Sequence, residues 1–81
     1  MKIQVLGTGC AKCKQLTANA EKAIAELGLG VPVEKVEDVR EIMKFKVMST
    51  PALVVDGVVR SAGKLLAPEA VKQILADSGG R

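Results

Sequence analysis

The chain has 81 residues, of which 48% are hydrophobic and 26% charged; its net charge is +3, and Phe45 is its single aromatic residue. This length and composition predict one globular domain with a small aliphatic core. The scattered lysines come without aromatic side chains for base stacking, which argues against nucleic-acid binding. No apolar run is long enough to span a membrane, and the N-terminal residues do not have the pattern of a signal peptide. We therefore expect a cytoplasmic protein that does not bind membranes.

The first part of the chain predicts two strands joined by a long helix. Residues 2–6 form a short β-prone run. In residues 11–27 the apolar side chains recur at helical spacing, and Gly28 follows where a helix C-cap is expected. Residues 31–36 alternate apolar and other side chains, with Pro32 near the strand start or at a sheet edge. Because a long helix joins the two strands, they should be parallel.

A short second helix is predicted after these strands. Asp38 would be its N-cap, and Glu41, three residues later, completes a pattern that resembles a capping box. Its buried face should consist of Val39, Ile42 and Met43.

The last part of the chain predicts a β-hairpin followed by a third helix. Residues 52–55 and 58–61 are β-prone runs on either side of Asp56-Gly57, a sequence that favours a two-residue hairpin turn. Pro68 begins the final helix, because proline is well tolerated at the first helical position.

The resulting order is β-α-β-α-β-β-α. This order predicts an α/β fold with a four-stranded mixed sheet and helices on both faces. We expect residues 1–77 to form the domain and residues 78–81 to be a flexible tail.

The chain has two cysteines, Cys10 and Cys13, where the first strand passes into the long helix. The free N–H groups and partial positive charge of a helix N-terminus favour a thiolate and should lower the pKa of Cys10. Lys12 and Lys14 add positive charge, and Gly9 leaves room for a disulfide substrate. Cys13 follows one helical turn later, within reach of a disulfide bond. In this arrangement Cys10 would attack a disulfide and Cys13 would resolve the mixed disulfide.

A Cys-x-x-Cys pair has other uses. A structural disulfide is disfavoured in the reducing cytosol and would close a loop of only four residues. Structural zinc usually takes four ligands, whereas this chain has two thiols and no histidine. Lys12 stands where a dinucleotide-binding loop would have its third glycine, so residues 7–9 are better interpreted as a tight turn. Two thiolates suit Cu(I), and a soft-metal carrier is the main alternative. The two cysteines could also be inert.

The segment MSTPALVVDGVV, residues 48–59, places Thr50-Pro51 directly before a strand and a hairpin. Together with Cys-x-x-Cys and the final helix, this pattern resembles the thioredoxin/glutaredoxin superfamily, and in particular its small thioredoxin-like redox-active disulfide proteins. The resemblance extends from residue 3 to about residue 75. It implies a minimal, glutaredoxin-like version of the thioredoxin fold, with Pro51 in the cis form beside the active-site cysteines.

The resemblance also implies an activity, that of a protein dithiol–disulfide oxidoreductase. Cys10 would be the nucleophile and Cys13 the resolving thiol, and no metal or organic cofactor would be required. The partners would be protein disulfide substrates and an electron donor, either a disulfide reductase or a small thiol. We expect the protein to act as a monomer. A Cu(I) carrier and a non-catalytic binding module on the same scaffold are the alternatives.

The substrate would lie between two segments of the chain. Gly9, Ala11 and Lys12 would shape the loop around the nucleophile. Thr50 and Pro51 would form the opposite wall, where the backbone can pair with an extended substrate.

Five positions differ from related families. Gly9 stands where thioredoxins have tryptophan, and Ala11-Lys12 stands where they have Gly-Pro. Gln4, which cannot ionise, occupies the position of a buried aspartate that assists proton transfer in thioredoxins. Copper-carrier domains usually have methionine where this chain has Thr8, and they end on a strand rather than on a helix.

Overall fold

A computed structural model of the protein describes residues 2–9, 11–47 and 49–79, without the side chains of residues 78 and 79. The predicted order of elements is confirmed. The strands are β1 (Ile3–Leu6), β2 (Val33–Val36), β3 (Ala52–Val55) and β4 (Val58–Ala62), and the helices are α1 (Ala11–Leu27), α2 (Val39–Lys44) and α3 (Pro68–Gly79). Within the described ranges, no helix combines the length and the apolar character needed to cross a lipid bilayer.

The four strands form one mixed sheet in the order β2-β1-β3-β4. β1 runs parallel to β2 and antiparallel to β3, so the prediction of a parallel β1–β2 pair is confirmed. The β3–β4 hairpin turns at Asp56 and Gly57, whose φ values of 52° and 81° are both positive. Asp-Gly favours such a turn because glycine and aspartate tolerate the left-handed region.

Helix α1 ends at the predicted residue because Gly28 adopts a φ of 67° and reverses the chain. The Gly28 N–H donates to the Ala25 carbonyl at 3.2 Å, and the Leu29 N–H donates to the Ile24 carbonyl at 3.2 Å. These two bonds form a Schellman motif, which satisfies carbonyls that the helix itself leaves free.

Hydrophobic residues fill both faces of the sheet. On one face, α1 and α3 pack over the strands, and the buried residues are Ile3, Val5, Leu16, Ala20, Ala23, Ile24, Leu53, Val55, Val71 and Leu75. On the other face, α2 covers a smaller cluster of Leu6, Ile42, Ala52 and Val54. The predicted α/β fold with helices on both faces is therefore confirmed.

The predicted buried face of α2 is wrong for two of its three residues. Ile42 is buried, but Val39 is 56% exposed and Met43 is 67% exposed. At 3.6 residues per turn, these two side chains lie about 60° and about 100° around the helix from Ile42, both on the same side. A helix of six residues contacts the sheet along a narrow strip, so both of these residues face solvent.

The predicted N-cap of α2 is confirmed, but the second half of the capping box does not form. The Arg40 N–H donates to Asp38 Oδ1 at 2.8 Å. Glu41 forms an ion pair with Lys44 Nζ at 2.9 Å, one turn further along the helix.

Replacing the N-cap, Asp38→Ala, should lower the free energy of unfolding by about 1 kcal/mol, because the Arg40 N–H loses its acceptor. Urea denaturation measures the change. Asp38→Asn, which keeps a side-chain oxygen, is the control and should stay close to the wild type. An equal loss in both variants would show that the cap contributes through its charge instead.

The ends of four elements differ from the predicted bounds. β1 begins at Ile3 and β2 at Val33, each slightly later than predicted. β4 ends at Ala62, one residue later than predicted. Helix α3 continues to Gly79 and so includes two residues that the sequence predicts as tail. Residues 80 and 81 lie outside the described residues.

Candidate active site

The loop of residues 7–9 connects β1 to α1 and is attached to the end of β2. The Gly7 N–H donates to the Val36 carbonyl at 2.9 Å, which continues the parallel pairing one residue beyond β1. Gly9 then turns the chain with a φ of 88°, a conformation that favours glycine. Cys10, the predicted nucleophile, lies outside the described residues.

Cys13, the predicted resolving thiol, is buried in the first turn of α1, with 4% of its surface exposed. Its side chain packs directly against Gly7. A Cβ atom on Gly7 would overlap Cys13 Sγ and would lie 2.9 Å from Cys13 Cβ. One turn further on, the Thr17 hydroxyl donates to the Cys13 carbonyl at 2.9 Å. The thiol is therefore held between its helix and the loop that precedes it.

Thr50 and Pro51, predicted as the opposite wall, lie next to this loop. The Thr50-Pro51 peptide bond is cis, as the family resemblance implies. Pro51 is fully buried and Thr50 is exposed. Thr50 Cβ lies 3.9 Å from the position that a Cβ on Gly7 would take. The fold therefore brings Gly7, Cys13 and Thr50 together from distant parts of the sequence.

A sequence model of the thioredoxin domain matches residues 1–76. The chain belongs to the thioredoxin family. A thioredoxin of Methanothermobacter thermautotrophicus is 40% identical over 76 residues, which cover 94% of this chain and 99% of that protein. A thioredoxin of Methanocaldococcus jannaschii is 41% identical over 73 residues, which cover 90% of this chain and 84% of that protein.

Within this thioredoxin-family fold, the remaining predicted site residues lie around the loop of residues 7–9. Ala11 and Lys12 are exposed as the first two residues of α1. Gly9 is half-buried, and the carboxylate of Glu37 approaches it: Glu37 Oε2 lies 3.7 Å from the position of a Cβ on Gly9. Lys12 thus faces solvent at the N-terminal end of α1.

A small cavity of about 50 Å³ opens beside Cys13. It is lined by Val5, Gly7, Gly9, Cys13, Lys14, Thr17, Lys35 and Glu37. Lys35 and Glu37 do not appear among the predicted site residues. The signal that would reveal them is the parallel pairing of β1 with β2, because Lys35 is then paired with Val5, and Glu37 leaves the sheet at the same edge as the loop after β1.

Ser49 and Gly63 form a second part of the wall that the sequence does not reveal. The Gly63 N–H donates to the Pro51 carbonyl at 2.9 Å. Gly63 has a φ of 76°, and a Cβ at this position would lie 2.8 Å from Ser49 Cβ. A side chain at position 63 would therefore collide with the segment that precedes Pro51.

A larger open groove lies elsewhere, between α1 and α3, with a volume of about 780 Å³. The ion pair of Lys72 with Glu26, at 3.0 Å, lies on its wall. None of the predicted site residues lines this groove.

Proposed function

We propose that the protein is a dithiol–disulfide oxidoreductase that acts on protein disulfides. Cys10 is the nucleophile and Cys13 the resolving thiol. Gly9, Ala11 and Lys12 shape the loop around them. The protein works in the cytoplasm as a monomer and takes its electrons from a disulfide reductase or a small thiol.

One observation carries the proposal: the buried thiol of Cys13 packs against Gly7, and Thr50 and cis-Pro51 lie beside the same loop. Cys10 precedes Cys13 by three positions in the sequence and comes directly before Ala11, the first residue of α1. A helix N-terminus favours a thiolate, and the i, i+3 spacing permits a disulfide. The exposed Thr50 offers its backbone to an extended substrate. Membership of the thioredoxin family supports the same activity.

The proposed cycle transfers two electrons. The Cys10 thiolate attacks one sulfur of the substrate disulfide, forms a mixed disulfide and releases the other sulfur as a thiolate. Cys13 loses its proton and attacks the Cys10 sulfur, which forms the Cys10–Cys13 disulfide and releases the second substrate thiolate. Both substrate thiolates take up protons. The electron donor then reduces the protein disulfide.

Reduction of insulin by the wild-type protein, with dithiothreitol as the electron donor, tests this function. We expect the protein to accelerate precipitation of the insulin B chain. We also expect stoichiometric oxidised glutathione to lower the mass of the reduced protein by two hydrogen atoms, reversibly.

The same preparation should be titrated with Cu(I) in competition with a chromogenic chelator. Tight stoichiometric Cu(I) binding, with no disulfide formed in any glutathione buffer, would contradict the proposal and favour the soft-metal carrier. A protein that forms the disulfide but never accelerates insulin reduction would favour the non-catalytic binding module.

A further inference from the structure

The resolving step requires a group that removes the proton from Cys13. A thiol of ordinary acidity is mostly protonated at neutral pH, and only the thiolate attacks. Cys13 is 4% exposed, so bulk water has little access to its sulfur except through the cavity beside it. The side chains that line this cavity therefore determine how the proton leaves.

Glu37 is the one carboxylate that lines this cavity among the residues the structure describes. The residues before and after Glu37 in the sequence fix its position. Val36, the preceding residue, is paired with Leu6 and accepts the Gly7 N–H bond at 2.9 Å. Asp38, the following residue, is the N-cap of α2. Glu37 thus lies beside the loop of residues 7–9, where its carboxylate approaches Gly9.

Gln4 does not share this cavity. It is 9% exposed and lines a second groove with Phe45, on the face of the sheet that α2 covers; Lys35 and Glu37 line both this groove and the cavity. Val5, the next residue along β1, lines the cavity with Cys13. Because side chains alternate along a strand, Gln4 points away from Cys13, and its amide cannot ionise.

Two cations face the same cavity. Lys14 reaches it from α1 and Lys35 from β2. Their positive charges favour a thiolate at Cys13 over a thiol. The neutral neighbours are Thr17 and the loop glycines, Gly7 and Gly9. The cavity volume of about 50 Å³ leaves room for a water molecule between these polar groups.

We propose that Glu37 accepts the proton of the Cys13 thiol during resolution of the mixed disulfide; this inference rests on the proposed function. The proton passes to the carboxylate directly or through one water molecule in the cavity. The Cys13 sulfur then bonds to the Cys10 sulfur, and the Cys10–substrate bond breaks. The substrate thiolate leaves with the electron pair and takes a proton from Glu37 or from solvent. Lys14 and Lys35 stabilise the transient thiolate.

Stopped-flow reaction of the fully reduced protein with one equivalent of Ellman's reagent separates the two steps. Attack by Cys10 releases the first thionitrobenzoate, and attack by Cys13 on the mixed disulfide releases the second. At about pH 6, Glu37→Gln should slow the second release about 100-fold and leave the first unchanged. At about pH 9 the difference should disappear, because the thiol then ionises without a base.

Glu34→Gln is the matched control. It removes the same charge three residues earlier in the chain. Both glutamates are exposed and both line the groove with Gln4, but Glu34 does not line the cavity beside Cys13. Both releases should match the wild type. Glu37→Asp keeps a carboxylate and should recover part of the lost rate.

Three outcomes would contradict the inference. An unchanged second release in Glu37→Gln would remove Glu37 from the step. A faster second release at about pH 6 would show that the negative charge only opposes the thiolate. An equal loss at every pH would indicate a structural effect. If the wild type itself shows no second release, the proposed function fails, and this result is distinct from the other three.

Discussion

Cys10→Ser is expected to reduce insulin disulfide reduction to the background rate, because a serine hydroxyl is far less acidic than a thiol and does not attack disulfides at neutral pH. Cys13 cannot take over the attack, since it is 4% exposed and packed against Gly7. The measurement is the rate of insulin B-chain precipitation with dithiothreitol as the electron donor.

Cys13→Ser should fail at a later step. Its Cys10 should still attack a disulfide, but no second thiol is present to release the product. With Ellman's reagent, this variant should release one thionitrobenzoate and retain the other in a stable mixed disulfide, which mass spectrometry detects. The insulin assay should show little turnover, because release then depends on dithiothreitol itself.

The double variant Cys10→Ser/Cys13→Ser is the control for both experiments. It should neither accelerate insulin reduction nor release thionitrobenzoate from Ellman's reagent. Circular dichroism establishes that each variant is folded, so that loss of activity can be assigned to the thiol. A stable mixed disulfide in Cys10→Ser, together with no thionitrobenzoate release by Cys13→Ser, would reverse the two roles.

Local sequence signals predict most of the fold. The Asp56-Gly57 turn, the C-cap at Gly28 and the N-cap at Asp38 each depend on residues close together in the chain, and each is confirmed. The exposure of Val39 and Met43 could not be predicted in this way. It depends on how much of a short helix touches the sheet, which is a property of the tertiary packing.

Some features of the candidate site can likewise be predicted from the sequence, and others depend on the tertiary structure. The Cys-x-x-Cys motif and Thr50-Pro51 can be recognised as patterns in the sequence. The place of Glu37 beside the loop follows from the pairing of β1 with β2. The contact of Cys13 with Gly7 depends on how α1 packs against that loop. Leu6 lies opposite Val36, so the residues after each strand become neighbours although thirty positions separate them. Sequence spacing alone does not determine that register.

Gly7→Ala is expected to slow the second thionitrobenzoate release by about 100-fold, because the thiol must move to make room for the added methyl group. A Cβ at this position would overlap Cys13 Sγ. The free energy of unfolding should also fall by about 1–3 kcal/mol from overpacking. The backbone itself accepts alanine, since Gly7 does not adopt a positive φ. The first release should change much less, because it depends on Cys10.

Gly28→Ala separates loss of stability from displacement of the thiol. A Cβ on Gly28 meets nothing within 4 Å, but its φ of 67° makes alanine unfavourable by about 1–2 kcal/mol. This variant should therefore lose comparable stability and keep wild-type kinetics. Equal slowing in both variants would assign the effect to general loosening of the fold.

A double-mutant cycle tests the contact between Gly7 and the thiol directly. In a Cys13→Ala background, Gly7→Ala should lower the free energy of unfolding by less than in the wild type, because the displaced sulfur is absent. Urea denaturation of the four proteins in this cycle measures that coupling.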